Sequence, residues 1–493
     1  MFLQLLAAST LLSIVLAAPA GIHEKRLNDP PNVPTKIAQG PPQASGMLRG
    51  SQNLEGYRST NPVSTKPSTE IPTSDFEVAP GQDADPDLGF YLDLEGVKNP
   101  QPLRGSNNQP TDPGPRNYAI DRENSDAFAP PGTDTGGLPN AKWPMGLSPN
   151  RHGLQNSGWA RQQNIESLPS ATEFAGVDMR LEPNAYRELH WHTANEWSLV
   201  LNGSVRLTSV DEAGETFTDD LQAGDVWFFP EGKPHSIQAL ENGVEFLLVF
   251  DEGDFSEDAT FLVSELFLRN PKSVLAKDLQ VDVSAFDNLP KDQLYIFPGT
   301  PAPKNISAQN VTGPGGKIPK KTTYSYHFSQ QKAYEVPGGS VKIIDSLNFP
   351  TASDFAAALF TIKPGAMREL HWHTVADEWN FWISGQGRLT SYLAPASSQT
   401  FDFQAGDVGY VPVPNAHYIE NTGDTDLVYL EVLASGIYDD ISVAQWLGLT
   451  PKQIVKDHLG FSDDTLDRLP HIKPYILPGS TNPLETDFRT EKV

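Results

Sequence analysis

The chain has no cysteine in 493 residues. Disulfide staples and thiolate zinc sites are therefore excluded, and stability must come from core packing, bound metal and, in a homo-oligomer, subunit contacts. Basic residues are scarce: 36 Lys and Arg stand against 62 Asp and Glu, a formal charge of −26. Such a surface repels nucleic acid and anionic membranes, so a small diffusible substrate suits it better than a polyanionic partner. Long apolar runs are also lacking. Leu5–Ala18 is almost wholly apolar but shorter than the ~20 residues a spanning helix needs. Ending in Ala17-Ala18-Pro19-Ala20, it reads as a signal peptide over residues 1–20 and predicts a secreted, extracellular protein. Lys25-Arg26 is a candidate processing site, and Asn202-Gly203-Ser204, Asn305-Ile306-Ser307 and Asn310-Val311-Thr312 fit the N-glycosylation pattern.

Proline is abundant, with 43 residues. Residues 21–86 are rich in Pro and Ser without a sustained apolar period, and are expected to be disordered or removed. Ordered structure is expected from near Asp87, in two domains, 87–310 and 311–493. Each consists mainly of short β-branched and aromatic runs separated by turns. In the first these are Phe174–Leu181, Trp197–Leu201, Val205–Val210, Val226–Phe229 and Val244–Phe250. The second keeps the order with Ala356–Ile362, Trp379–Ile383, Arg388–Tyr392, Val408–Val413 and Leu427–Leu433. Strands this short, with turns every 8 to 12 residues or so, predict an all-β fold of antiparallel sandwich or barrel type. Small helical additions follow each barrel, at Asp258–Phe267 and Lys272–Phe286, then at Val443–Leu449 and Pro451–Leu459.

One segment occurs twice: Arg187-Glu188-Leu189-His190-Trp191-His192 and Arg368-Glu369-Leu370-His371-Trp372-His373. Each is followed by a Glu-Trp pair, Glu196-Trp197 and Glu378-Trp379, and later by His235 and His417. Side chains at i and i+2 share a face of a strand, so each His-x-His pair points one way. Glu196 keeps the parity of His192, whereas Glu378 follows one residue later than the repeat requires, which a bulge or turn among Thr374–Asp377 must absorb. Three imidazoles and a carboxylate form a divalent-metal ligand set, and as an octahedron they leave two positions open. Two metal sites are thus expected: His190, His192, Glu196 and His235, and His371, His373, Glu378 and His417. Trp191, Trp197, Trp372 and Trp379 read as core. Strict alternation turns Arg187 and Arg368 away from the metals, so a place in the sites requires a bend near Pro183 or Pro364. There a guanidinium would hold a small carboxylate by paired hydrogen bonds; a surface salt bridge to a neighbour such as Glu188 is the alternative.

Both repeats resemble the cupin superfamily, tandem jelly-roll barrels of the double-stranded β-helix type. More narrowly, the doubled Arg-Glu-Leu-His-Trp-His segment resembles the two-domain oxalate decarboxylases, as do Pro234-His235-Ser236-Ile237-Gln238-Ala239 and Ala405-Gly406-Asp407-Val408-Gly409-Tyr410-Val411-Pro412. The resemblance implies manganese in both sites, two per chain, dioxygen as co-catalyst, and conversion of oxalate to formate and carbon dioxide. It implies a first-domain lid at Phe255–Phe261 with Glu257 as the essential acid; Asp258 and Ala259 depart from the bacterial pattern of Asn and Ser. In the second domain it points to Glu431, whose first-domain counterpart, at equal spacing from His235, is Val249. Arg187 would hold the substrate, Arg368 being its second-domain equivalent. An oxalate oxidase releasing peroxide and a metal-free storage or binding bicupin are the rival readings.

Overall fold

The computed structural model describes residues 133–479. The signal segment, the Pro/Ser-rich stretch to residue 86, the dibasic pair and the start near Asp87 lie outside the described residues.

Two jelly-roll barrels follow one another. In the first, Ala175–Leu181 pairs with the C-terminal half of His235–Phe250, which also pairs with Glu196–Val210. Tyr186–Trp191 pairs with the N-terminal half of that same strand. The two faces are continuous because Glu196–Val210 runs through both, with register shifts around Gly203. Gly203 has φ +79, and a Cβ there would sit 2.1 Å from the Gly243 carbonyl oxygen, so only glycine fits this corner. In the second barrel the same corner interrupts the strand, leaving Glu378–Ser384 and Gln386–Leu393 on separate sheets.

The predicted strands all form; Trp197–Leu201 and Val205–Val210 are fused into one, and Val244–Phe250 is the end of a longer one. Thr216–Gln222 and Ser397–Gln404 were not anticipated, because their exposed faces carry acids in place of an apolar period. These acids are paired: Arg206 reaches Asp220 at 2.7 and 2.8 Å, and Arg388 reaches Asp402 at 2.6 and 3.2 Å. Helix expected over Asp258–Phe267 begins only at Val263, because Phe261–Leu262 pairs with Trp191 and His190 as a strand. The next helix stops at Leu279, where Gln280 turns left-handed, and a short 3-10 turn follows at Val283–Phe286. A helix at Asp463–Arg468, capped by Ser462, had no strong apolar signal.

The barrels share a core. Trp197, Phe228, Leu247 and Val249 of the first pack with Phe349, Phe355, Trp379 and Leu430 of the second. Gly176 makes room for the Trp379 ring, which a Cβ would meet at 2.3 Å, and the Trp379 indole donates to Gln163 at 2.8 Å. Each barrel also lends the other a strand: Lys142–Pro144 pairs with Asp407–Gly409, and Ser325–Tyr326 with Val226–Trp227. Trp197 and Trp379 are core, as expected. Trp191 and Trp372 are only half-buried, on the outer face of the strand, where the helical additions cover them through Phe261 and Trp446. Among the described residues no helix is long and apolar enough to cross a membrane.

Candidate metal centres and the acid lid

Both predicted ligand sets assemble. His190, His192, Glu196 and His235 are buried, and so are His371, His373, Glu378 and His417; within each set the ligating atoms all lie within 4.8 Å of one another. The strand Tyr186–Trp191 delivers the His-x-His pair and sets His190 opposite His235. Glu196 joins across the turn that ends this strand, so chain parity does not decide its direction. The extra residue of the second copy is absorbed in the corresponding turn, between Trp372 and Glu378.

The donor set fits a divalent cation. In all six histidines Nδ1 faces a backbone carbonyl: Glu188, Ala194 and Lys233 at 2.5, 2.7 and 2.8 Å, and Glu369, Asp439 and Asn415 at 2.7, 2.8 and 3.0 Å. A proton on Nδ1 leaves the Nε2 lone pair aimed inward. His235 Nε2, His371 Nε2 and Glu378 Oε1 are buried without a hydrogen-bond partner, a costly arrangement unless something accepts their lone pairs. Burial, Arg187 and the neighbouring imidazoles hold the His190 pKa well below its usual value, keeping it a neutral ligand. Burial alone would raise Glu196, but His235 and His192 outweigh it and hold the carboxyl well below the usual range.

The sites differ around this shared geometry. Trp227 donates to Glu196 Oε1 at 2.7 Å. The matching register position in the second barrel is Gly409, which offers Glu378 no side chain. Instead the second site gains Glu431, 3.2 Å from His373 Nε2 and bonded by Tyr438 Oη at 2.6 Å. Register corrects its counterpart: Glu431 lies opposite Ala358 and Asn380, as Leu248 lies opposite Val177 and Ser198. Leu248, not Val249, holds the equivalent place, because the second barrel has one residue more than the first between the trailing histidine and this position. Burial works against a charged His373, yet Glu378 and Glu431 together push it up to about 9. In the metal-free protein His373 is therefore protonated at pH 7 to 8, and a cation must displace that proton. Metal uptake should release about one proton from this site, and affinity should climb with pH toward 9, as calorimetry in buffers of different ionisation enthalpy would show.

Arg187 and Arg368 do reach the sites. A register shift between Arg187 and His190, repeated between Arg368 and His371, supplies the turn that alternation denied them. Both are buried, so the surface-salt-bridge alternative fails. Glu188 is buried beside Arg187 yet accepts from backbone N–H groups instead: Ser264 at 2.6 Å, Tyr295 at 2.8 Å and Leu294 at 3.0 Å. It staples the first helical addition and Tyr295 to the His-bearing strand. Glu188→Ala would strand the Ser264 and Tyr295 N–H groups, leaving Leu294 with the Ser264 hydroxyl at 3.3 Å, and should lower stability by roughly 2–3 kcal/mol, measurable by thermal unfolding.

Arg187 instead meets the segment expected to be a lid, its Nη2 donating to Glu257 Oε2 at 3.1 Å while Nη1 is buried without a partner. Glu257 sits in a 3-10 turn, Glu257–Ala259, buried, with its N–H donating to Gln162 at 3.0 Å. Phe255 stacks on Phe250 at 3.6 Å, and both rings meet His192 edge-on. Arg368 is engaged: it donates to Glu369 and Tyr438, each at 3.3 Å, and to Asp440, which Lys473 also contacts. The second barrel has no matching lid. Between the partners of Glu196 and Trp191, Phe250 and Phe261, lie ten residues; between Leu433 and Ile441 lie seven. Tyr295, Trp227 and Gln162 were missed from sequence. Tyr295 carried a signal, since it opens a phrase repeated at Tyr475.

Comparison with known proteins agrees with this geometry. The Cupin family model matches residues 147–286 and again 325–466. Oxalate decarboxylase OxdC of Bacillus subtilis is 45% identical over 370 residues, covering 75% of this chain and 94% of that protein. A probable oxalate decarboxylase of Arthroderma benhamiae is 38% identical over 382 residues, 76% of this chain and 93% of that one. A solved structure of the Bacillus enzyme, concerned with its Mn(II) centres, superposes with TM-score 0.74 at 43% identity, over 77% of this chain and 100% of its own.

Proposed function

The chain belongs to the cupin superfamily, among the two-domain oxalate decarboxylases, and from that premise we propose that it converts oxalate to formate and carbon dioxide at the first-domain site. The asymmetry of the two arginines carries this assignment. Arg187 has a buried, unpartnered Nη1 and the Glu257 carboxylate beside it, whereas both Nη atoms of Arg368 are engaged, by Glu369, Tyr438 and Asp440, and only its Nε is left without a partner.

In this reading His190, His192, Glu196 and His235 hold one manganese ion, and His371, His373, Glu378 and His417 hold another. Manganese with dioxygen, when bound, supplies Lewis acidity and a one-electron sink. The protein's own groups do the rest. Arg187 pairs with a substrate carboxylate and orients the C–C bond, its guanidinium held 4.5 Å above the Tyr295 ring. Phe250 and Phe255 keep water from the His192 side. As the C–C bond breaks, one carbon leaves as carbon dioxide and the other must gain a proton to become formate. Glu257, paired with the arginine that holds the substrate, is placed to give that proton, and the lid that carries it lets water restore it. The reaction consumes one proton per oxalate and is redox-neutral overall. Glu431 is committed to Tyr438 and His373 and serves the second metal set.

Oxalate assayed at acidic pH, with formate, peroxide and metal measured together, tests this: formate should equal oxalate consumed, with little peroxide. Peroxide in place of formate would make the protein an oxidase, and loss of metal without loss of turnover would end the metal assignment. Secretion belongs to the same reading. It rests on the apolar segment ending near Ala20 and is supported by the exposure of Asn202, Asn305 and Asn310 on the described surface. Glycosidase treatment of protein from the culture medium should shift its mass.

A further inference from the structure

We propose that Arg151 is a positioning residue for the reaction, latching the lid through Asp258 and steadying Arg187 through the Tyr295 ring; the inference rests on the function proposed above. The lid lies on one stretch of chain, residues 151–165. Asn164 Nδ2 donates to the Phe255 carbonyl at 3.1 Å, the Ile165 N–H to that of Gly253 at 2.8 Å, and the Glu257 N–H to Gln162 at 3.0 Å. The fourth contact is the only ion pair of the four, Arg151 Nη1 to Asp258 Oδ1 at 2.7 Å, a charge contact out of line for a hydrogen bond.

Arg151 is held from behind. It stands on the short strand Arg151–His152, paired with Trp159–Ala160, and its Nη2 donates to Gln293 at 3.3 Å. Its guanidinium carbon lies 3.7 Å from the centre of the Tyr295 ring, and that of Arg187 lies 4.5 Å from the same centre. Each cation is attracted by the ring, but two cations on one ring repel, and two anions of the lid offset this. Asp258 neutralises Arg151 and Glu257 neutralises Arg187. Asp258, Arg151, Tyr295, Arg187 and Glu257 thus form one chain with a lid carboxylate at each end. Lifting the lid breaks both ends together, so the charge at Asp258 favours the seated position of Glu257. A neutral residue at 258 keeps the backbone contacts and loses the latch.

The Asp258 side chain is 84% exposed and that of Arg151 27%, so the effect is that of a solvent-exposed pair, about twofold to fivefold. Hydrogen exchange of backbone amides 254–260 reads the latch in metal-loaded protein without substrate. Asp258→Asn and Arg151→Gln should each speed exchange about twofold to fivefold and raise the peroxide-to-formate ratio by a similar factor, at unchanged metal content. Asp258→Glu should restore both readings, the double variant should go no further than either single one, and about 0.5 M salt should shrink the difference. Lid exchange in Asp258→Asn equal to that of the parent, or additive effects in the double variant, would overturn the latch. A parent protein that makes no formate would sink the proposed function, while the exchange result still decides the latch.

Discussion

Glu257→Gln is expected to cut formate production by about two to three orders of magnitude, the scale on which a positioned general acid acts. The amide nearly matches the carboxyl in shape, and its oxygen still accepts from Arg187 where Glu257 Oε2 now does at 3.1 Å. What it lacks is a proton to give. None of the eight metal ligands touches this side chain in a hydrogen bond or ion pair, so both metals should stay bound, and elemental analysis checks this. With substrate held and the C–C bond still breakable, the unprotonated carbon is left to oxidation, and peroxide should rise as formate falls. A variant that made formate at the parent rate would remove Glu257 from the reaction. One that lost its metal would show Glu257 to be structural.

The metal ligands were legible because their signal is local and doubled. A His-x-His pair, a glutamate and a distant histidine recur in register, and the backbone carbonyl that orients the imidazole lies two residues away for every ligand histidine except His373, which faces Asp439. The strands were legible where one face is buried and the period is two. What stayed hidden depends on non-local geometry. The register shift that brings Arg187 inward arises from pairing with the strand His235–Phe250, some fifty residues away. Glu188 reads as a surface acid until the backbone N–H groups of Ser264, Leu294 and Tyr295 arrive from more than seventy residues on. The identification of Val249 with Glu431 failed for a related reason: counting along the chain cannot see that the second barrel breaks the strand into two and spends one residue more on the way, and one residue moves a side chain to the other face.

Arg187→Lys should then separate the two sites. Lysine keeps the charge but presents a point donor in place of a planar fork, and it loses the stacking on Tyr295. Truncating one partner of a buried charged pair costs about 2–5 kcal/mol. If that loss falls on substrate orientation, kcat/KM drops by roughly two to three orders of magnitude, with thermal stability lowered less, since Arg187 has one side-chain hydrogen-bond partner in the protein, Glu257. Removing the corresponding arginine of the second barrel should reverse the balance. Arg368 is bound to Glu369, Tyr438 and Asp440, and breaking a buried network of this kind costs about 3–5 kcal/mol of stability. Lys473 keeps that figure at the lower end. Burial and the nearby Arg368 hold its pKa down to about 7; without the arginine it regains charge and stays with Asp440. Arg368→Ala should therefore lower the unfolding temperature and loosen metal at the second site, with activity lost only in step with metal. Equal kinetic losses from both substitutions, at full metal occupancy, would mean that both barrels turn over substrate and that the acid on the lid is not what sets them apart.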